Sequence, residues 1–173
     1  MKFKIMRILL LIVIIGSSSS SFAQKILFSE KTAENTTYVK GSKFEGVIFD
    51  QKYPHRSKDI PPVNRRFTPS FEELELVEQL LNQQLKENNT DINHGPKIHK
   101  NLQKYVRQYV GVISDKGERN IFILCDWWRK DADRPGNWKT EFTKVFDGGS
   151  YHWYVLINLE KKKFVHLGTN GIS

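Results

Sequence analysis

Two segments of this chain are apolar on both sides of a period-two alternation, and that constrains its fold more than any motif does. In 119–128, Ile121, Ile123, Cys125 and Trp127 fall on one side and Phe122, Leu124 and Trp128 on the other. In 151–159, Tyr151, Trp153, Val155, Ile157 and Leu159 oppose Tyr154 and Leu156. Alternate residues of a strand point to opposite faces, so a sheet built on these two strands is apolar on both faces at its middle. An antiparallel sheet with one cover is polar on its other face. This one requires two covers.

The first cover is legible. Phe71, Leu74, Val77, Leu81 and Leu85 recur at spacings of three and four, which predicts a helix over 68–87. Thr68 suits its N-cap and Pro69 its first position, and Glu72 and Glu73 place negative charge at its positive end. The second cover is open between the 24–66 segment, a second copy of the chain and a ligand. The 24–66 segment is the expected one, because a bare apolar face would be an association surface.

The remaining elements follow from alternation and turn chemistry. Strands are expected at 105–114, 119–128, 138–146, 151–159 and 164–167, with a hairpin at Asp115-Lys116-Gly117-Glu118 and turns at Asp147-Gly148-Gly149-Ser150 and Lys161-Lys162-Lys163. A helical turn is expected within 97–104. Segment 24–66 reads as an extension with one or two short strands and a proline-rich connector at Pro54 and Pro61-Pro62. The expected class is α+β: one long helix packed on about five antiparallel strands, over 67–173.

Residues 1–23 read as a signal peptide. Lys2, Lys4 and Arg7 precede the apolar run Ile8–Ile15, a serine tract follows, and Ser21-Phe22-Ala23 gives a small-x-small step before Gln24. The apolar run is about half of what a hydrocarbon core of roughly 30 Å requires, so no retained membrane segment is expected. The net charge of +8, less those three cations, leaves +5 after cleavage. Cys125 is the one cysteine, so an intramolecular disulfide is excluded and stability has to come from packing. The expected location is the periplasm or the extracellular space.

A helix followed by an antiparallel meander resembles the cystatin-like or nuclear-transport-factor-like arrangement. Phe67-Thr68-Pro69-Ser70, Arg107-Gln108-Tyr109-Val110-Gly111, Asp147-Gly148-Gly149-Ser150-Tyr151 and Thr169-Asn170-Gly171-Ile172 also resemble a family of uncharacterised exported bacterial proteins, which implies export and no particular activity. Cystatins inhibit papain-type proteases through a Gln-x-Val-x-Gly hairpin and a Pro-Trp hairpin. Here Gln108-Tyr109-Val110-Gly111 has its glycine one residue early, and Gly136-Asn137 separates Pro135 from Trp138. No inhibitory residue is carried over.

Candidate chemistry concentrates in two places. Segment 127–138 holds Trp127, Trp128, Arg129, Arg134 and Trp138 around a loop, residue types that anchor interfaces and stack on sugars. The plainer reading is that these tryptophans seal the end of the core. Asp126 and His152, with His166 if the last hairpin register allows, would offer a carboxylate and imidazoles for acid–base chemistry or a metal. Cys125, flanked by Ile123 and Trp127 on its face, reads as a buried thiol. Lysines at turns read as solubilising, and nucleic acid is not an expected partner.

The expected function is a non-enzymatic exported binding module for a protein or glycan, without cofactor, using the tryptophan loop or the second sheet face. Alternatives are a small hydrolase or metal-dependent enzyme built on Asp126 and His152, and an envelope component assembling through Phe122, Leu124, Tyr154 and Leu156 as a homodimer. Mass spectrometry of the protein recovered from an exporting host should give a mature N-terminus at Gln24. An intact Met1 terminus would remove the export reading.

Overall fold

The computed structural model describes residues 24–58, 60–88, 94–128 and 135–171. They form an α+β fold around one open, mixed sheet of eight strands, in the order β1-β2-β3-β5-β6-β7-β8, with β4 on β5. The strands are β1 (Ile26–Ala33), β2 (Thr36–Gly41), β3 (Glu45–Phe49), β4 (Arg66–Phe67), β5 (Val106–Ile113), β6 (Arg119–Asp126), β7 (His152–Asn158) and β8 (Lys163–Thr169). The helices are α1 (Phe71–Asn88) and the short α2 (Ile98–Asn101), which runs on into a 3-10 turn at Leu102–Lys104.

Residues 24–49 are part of the sheet rather than an extension beside it. They supply three strands, and β3 pairs parallel to β5, Glu45 with Val106 through Phe49 with Val110. The expected sheet of about five antiparallel strands is corrected accordingly. A parallel pairing needs a crossover, and the chain makes it through 50–70 and α1. The one or two short strands expected in 24–66 fall short of the three observed over 24–49 because β1 is an edge strand, exposed along Leu27, Phe28, Ser29, Glu30 and Lys31 and lacking a clear alternation. The central hairpins match the expected pattern, with Phe122 opposite Leu156, Leu124 opposite Tyr154, and Gly117 at φ 77° in the tight turn between β5 and β6.

Helix α1 begins two residues later than its proline suggests. Ser70 Oγ accepts from Glu73 N at 3.3 Å and Glu73 Oε2 accepts from Ser70 N at 2.9 Å, a capping box. Thr68, expected as the cap, instead accepts from Gln51 N at 3.0 Å. Leu74, Val77, Leu81 and Leu85 are buried against Tyr109, Ile121, Ile123, Cys125, Val155 and Ile157 on the first sheet face. Phe71, expected on that stripe, is exposed at the first turn.

A charge lies inside this helix–sheet interface. Glu78 of α1 and Arg107 of β5 are both fully buried, with Arg107 Nε donating to Glu78 Oε1 at 3.1 Å and its Nη1 to the Tyr105 carbonyl. Tyr109 OH donates to the same Glu78 oxygen at 2.8 Å. Removing one partner of a buried ion pair strands the other charge, which costs about 3–5 kcal/mol. Arg107→Met should therefore lower the unfolding free energy in urea by about that amount, and a loss under about 0.5 kcal/mol, the range of ordinary surface changes, would contradict the account.

Candidate functional site

The second sheet face is covered by two straps, and where they stop a cleft opens. One strap is 138–143, expected as a strand and found as a turn-rich loop lying across the face. Its tight turn is held by Asn137, whose carbonyl accepts from Thr140 N and Glu141 N at 2.8 Å each. The reason it is no strand is that side chains, not a neighbouring backbone, satisfy its polar groups. Buried Gln108 of β5 donates from Nε2 to the carbonyls of Trp138 (3.0 Å) and Glu141 (2.9 Å), and its Oε1 accepts from Thr143 N (2.9 Å) and Thr143 Oγ1 (3.1 Å). Thr32 of β1 donates to the Lys139 carbonyl at 2.8 Å.

The other strap lies within 50–62, so the expectation that segment 24–66 shields this face holds in part. Ile60 and Tyr53 join Tyr38, Val47, Phe49, Val106, Val110, Val112, Trp138 and Phe142 in a second apolar cluster. His55 fits among the rings of Phe49, Tyr53 and Phe142, with centroids 5.7, 4.7 and 5.1 Å away, and neither ring nitrogen has a partner. Burial, aided by the Arg66 charge, lowers its pKa to about 4.

Beyond Phe142 the roof lifts. A cleft of about 420 Å³ opens, floored by Phe122, Leu124 and Tyr154 and walled by Phe142, Val145 and Phe146. Phe122 and Tyr154 stack with centroids 5.8 Å apart. Asn170 fixes the wall, donating from Nδ2 to the Val145 and Asp147 carbonyls. His166 reaches the same cleft: a bulge between the β7–β8 pairs at Leu156 and Ile157 sets it opposite Leu156, with its ring 5.5 Å from Tyr154. A second groove of about 690 Å³ adjoins, sharing Ser57, Phe142, Lys144 and Phe146 and adding Arg56 and Lys58. Clefts of this size and lining hold small ligands or single side chains of a partner.

The three tryptophans do not gather into one patch. Trp127 packs on the first face, with centroids 5.7 Å from Tyr105 and 5.2 Å from Tyr151 and Lys104 Nζ 4.5 Å over its ring. Trp128 meets the edge of His152 at 4.9 Å. Trp138 is buried in the second cluster, edge-on to Tyr38 at 6.0 Å. Arg129 and Arg134 lie outside the described residues.

Asp126 and His152 are paired, His152 Nδ1 to Asp126 Oδ1 at 2.8 Å, and Thr143 Oγ1 donates to Asp126 Oδ2 at 3.3 Å. An imidazole so oriented suits proton transfer, but neither residue lines either groove. Gly148 belongs to this corner: at φ 90° it occupies backbone space that side chains rarely adopt, and a Cβ there would stand 2.7 Å from His152 Cδ2. Cys125 faces the other way, into the first core, where burial pushes its thiol well above the ordinary range. Among the described residues no group of three His, Cys, Asp or Glu could hold a metal ion, and no helix is long and apolar enough to cross a membrane.

Sequence reasoning singled out the floor of the cleft but missed its wall. Val145 and Phe146 were expected inside a strand. The spacing of four between Trp138, Phe142 and Phe146 fits a period of two as well as a helical one, so the sequence carried no signal against a strand there. The chain matches no family model, no curated protein and no solved structure.

Because the folded pKa of His55 lies below its ordinary 6.5, the unfolded chain binds the proton more readily. The stability that neutral His55 contributes is complete above about 6.5 and lost as pH falls towards about 4. Urea unfolding across that window should show the wild type losing stability relative to His55→Phe. Parallel profiles would contradict the buried, unpartnered ring.

Proposed function

We propose that this chain is an exported, non-enzymatic binding module whose site is the cleft on the second sheet face. The carrying observation is that this face is roofed over β3 and β5 but left open over Phe122 and Tyr154, where a stacked aromatic floor meets the apolar walls of Phe142, Val145 and Phe146, with Lys144 beside them. Aromatic surface left open beside a rigid sheet is the ordinary makeup of a recognition site for a protein segment or a glycan. Export rests on the 1–23 segment, and location in the periplasm or outside the cell follows from it. Helix α1 over β5, β6 and β7 supports a cystatin-like description of that half of the sheet, with the parallel β3–β5 pairing standing outside it.

One specific observation favours a second reading, a hydrolase using Asp126 and His152: their 2.8 Å contact. Against it, Thr143 also holds Asp126 and Trp128 covers the imidazole, so the pair serves to fasten the strap and the loop edge.

Backbone amide shifts separate the two. Titrating the chain from Gln24, which contains every described element, with phenyl-, indole- and hexose-based fragments should move amides around Phe122, Tyr154 and Thr169. Tyr154→Ser should abolish those shifts. Shifts confined to Asp126 and His152, or none, would contradict the binding reading.

A further inference from the structure

The two grooves join into one trough, and its chemistry is lopsided. Among the described residues that line it, Arg56, Lys58 and Lys144 bring positive charge, while Glu141 is the one carboxylate. That carboxylate already accepts from the Asn137 side-chain amide. The chain after residue 23 carries +5 besides, which adds long-range attraction for an anion.

The inner end is different in kind. Phe122, Leu124, Phe142, Phe146 and Tyr154 surround it, and Phe146 is 79% exposed, with Lys144 Nζ 5.3 Å from its ring centroid. The polar groups of this cleft, among them Thr169, Asn170, His166 and the Tyr154 hydroxyl, stand at its margin and are partly committed. The Asn170 amide is held by two backbone carbonyls, and Tyr154 OH lies 3.5 Å from His166 Nε2. A sugar ring set over the aromatic floor would surrender water from hydroxyls that the rings beside it cannot replace. A large apolar side chain would meet no such penalty.

We propose, resting on the binding role of this cleft, that the trough takes an acidic peptide segment of a protein partner. A phenylalanine-sized side chain fills the inner cleft over Phe122 and Tyr154. Flanking carboxylates lie along Arg56, Lys58 and Lys144. The apolar anchor supplies affinity and the charges supply orientation and partner choice, the usual division of roles in such interfaces.

The test uses a fluorescein-labelled peptide, Glu-Asp-Phe-Glu-Asp, against the chain from Gln24, with amide shifts recorded on the same samples. Saturable binding centred on Tyr154 and Phe122 is expected. It should weaken by about tenfold or more when lysines replace the acids or alanine replaces the phenylalanine, and fall steeply with added salt. The double variant Arg56→Glu, Lys58→Glu, checked as folded by circular dichroism, should lose binding to a similar degree while leaving a neutral phenyl fragment bound. Both substitutions fall on exposed side chains, so the fold is not at stake. If the peptide fails and an oligogalacturonate shifts the same amides, the acidic-peptide proposal is overturned and the cleft remains a binding site for an acidic glycan. If neither shifts them, the proposal and the binding role of the cleft fall together.

Discussion

Gln108 sits buried in the middle of β5 and commits its whole side-chain amide to one loop, and the second face of the sheet depends on that commitment. A backbone laid over apolar residues loses water from its N–H and C=O groups, and each one left unmatched costs about 1–3 kcal/mol. Gln108 answers three backbone groups of the 138–143 strap and one hydroxyl. Trp138 and Phe142 can then cover Val47, Phe49, Val106 and Val110 without forming a strand of their own. The strap ends where the amide's reach ends, and the cleft begins there.

The two faces solve the same problem by different means. On the first face a regular helix brings a continuous apolar stripe, and one oxygen of its buried carboxylate, Glu78 Oε1, is matched by Arg107 and Tyr109 while Oε2 has no hydrogen-bond partner. On the second face the cover is irregular, made of rings from 53–60 and 138–142 whose polar atoms are matched piecemeal or, in His55, not at all. A regular cover leaves no room. An irregular one ends abruptly, and an opening between its parts is a natural place for recognition.

How much of this was legible follows from the same contrast. Helix α1 and strands β5, β6, β7 and β8 have strong periods, and their expected bounds lie within three residues of the observed ones. The double-sided strands also foretold a second cover and placed Phe122, Leu124 and Tyr154 on the face it had to shield. The strap was misread because its apolar and polar residues alternate as in a strand, while the Asn137 turn and the distant Gln108 amide that hold it as a loop leave no mark in the sequence. The one or two short strands expected in 24–66 fell short of three because edge position strips β1 of an apolar face, and the parallel β3–β5 pairing was not foreseen because register between distant segments is a tertiary fact. Trp127, Trp128 and Trp138 are separated because the first two follow the end of β6 into different surroundings while Trp138 belongs to the strap over the second face.

The central claim is that the chain covers its own second face with straps and leaves the Phe122–Tyr154 floor open, rather than closing it with another copy. Light scattering on the chain from Gln24, across a wide range of concentration, addresses this most directly. The account predicts the mass of a single chain throughout. A dimer that Tyr154→Lys dissociates would contradict it, because the aromatic floor would then be a self-association surface and not an open cleft.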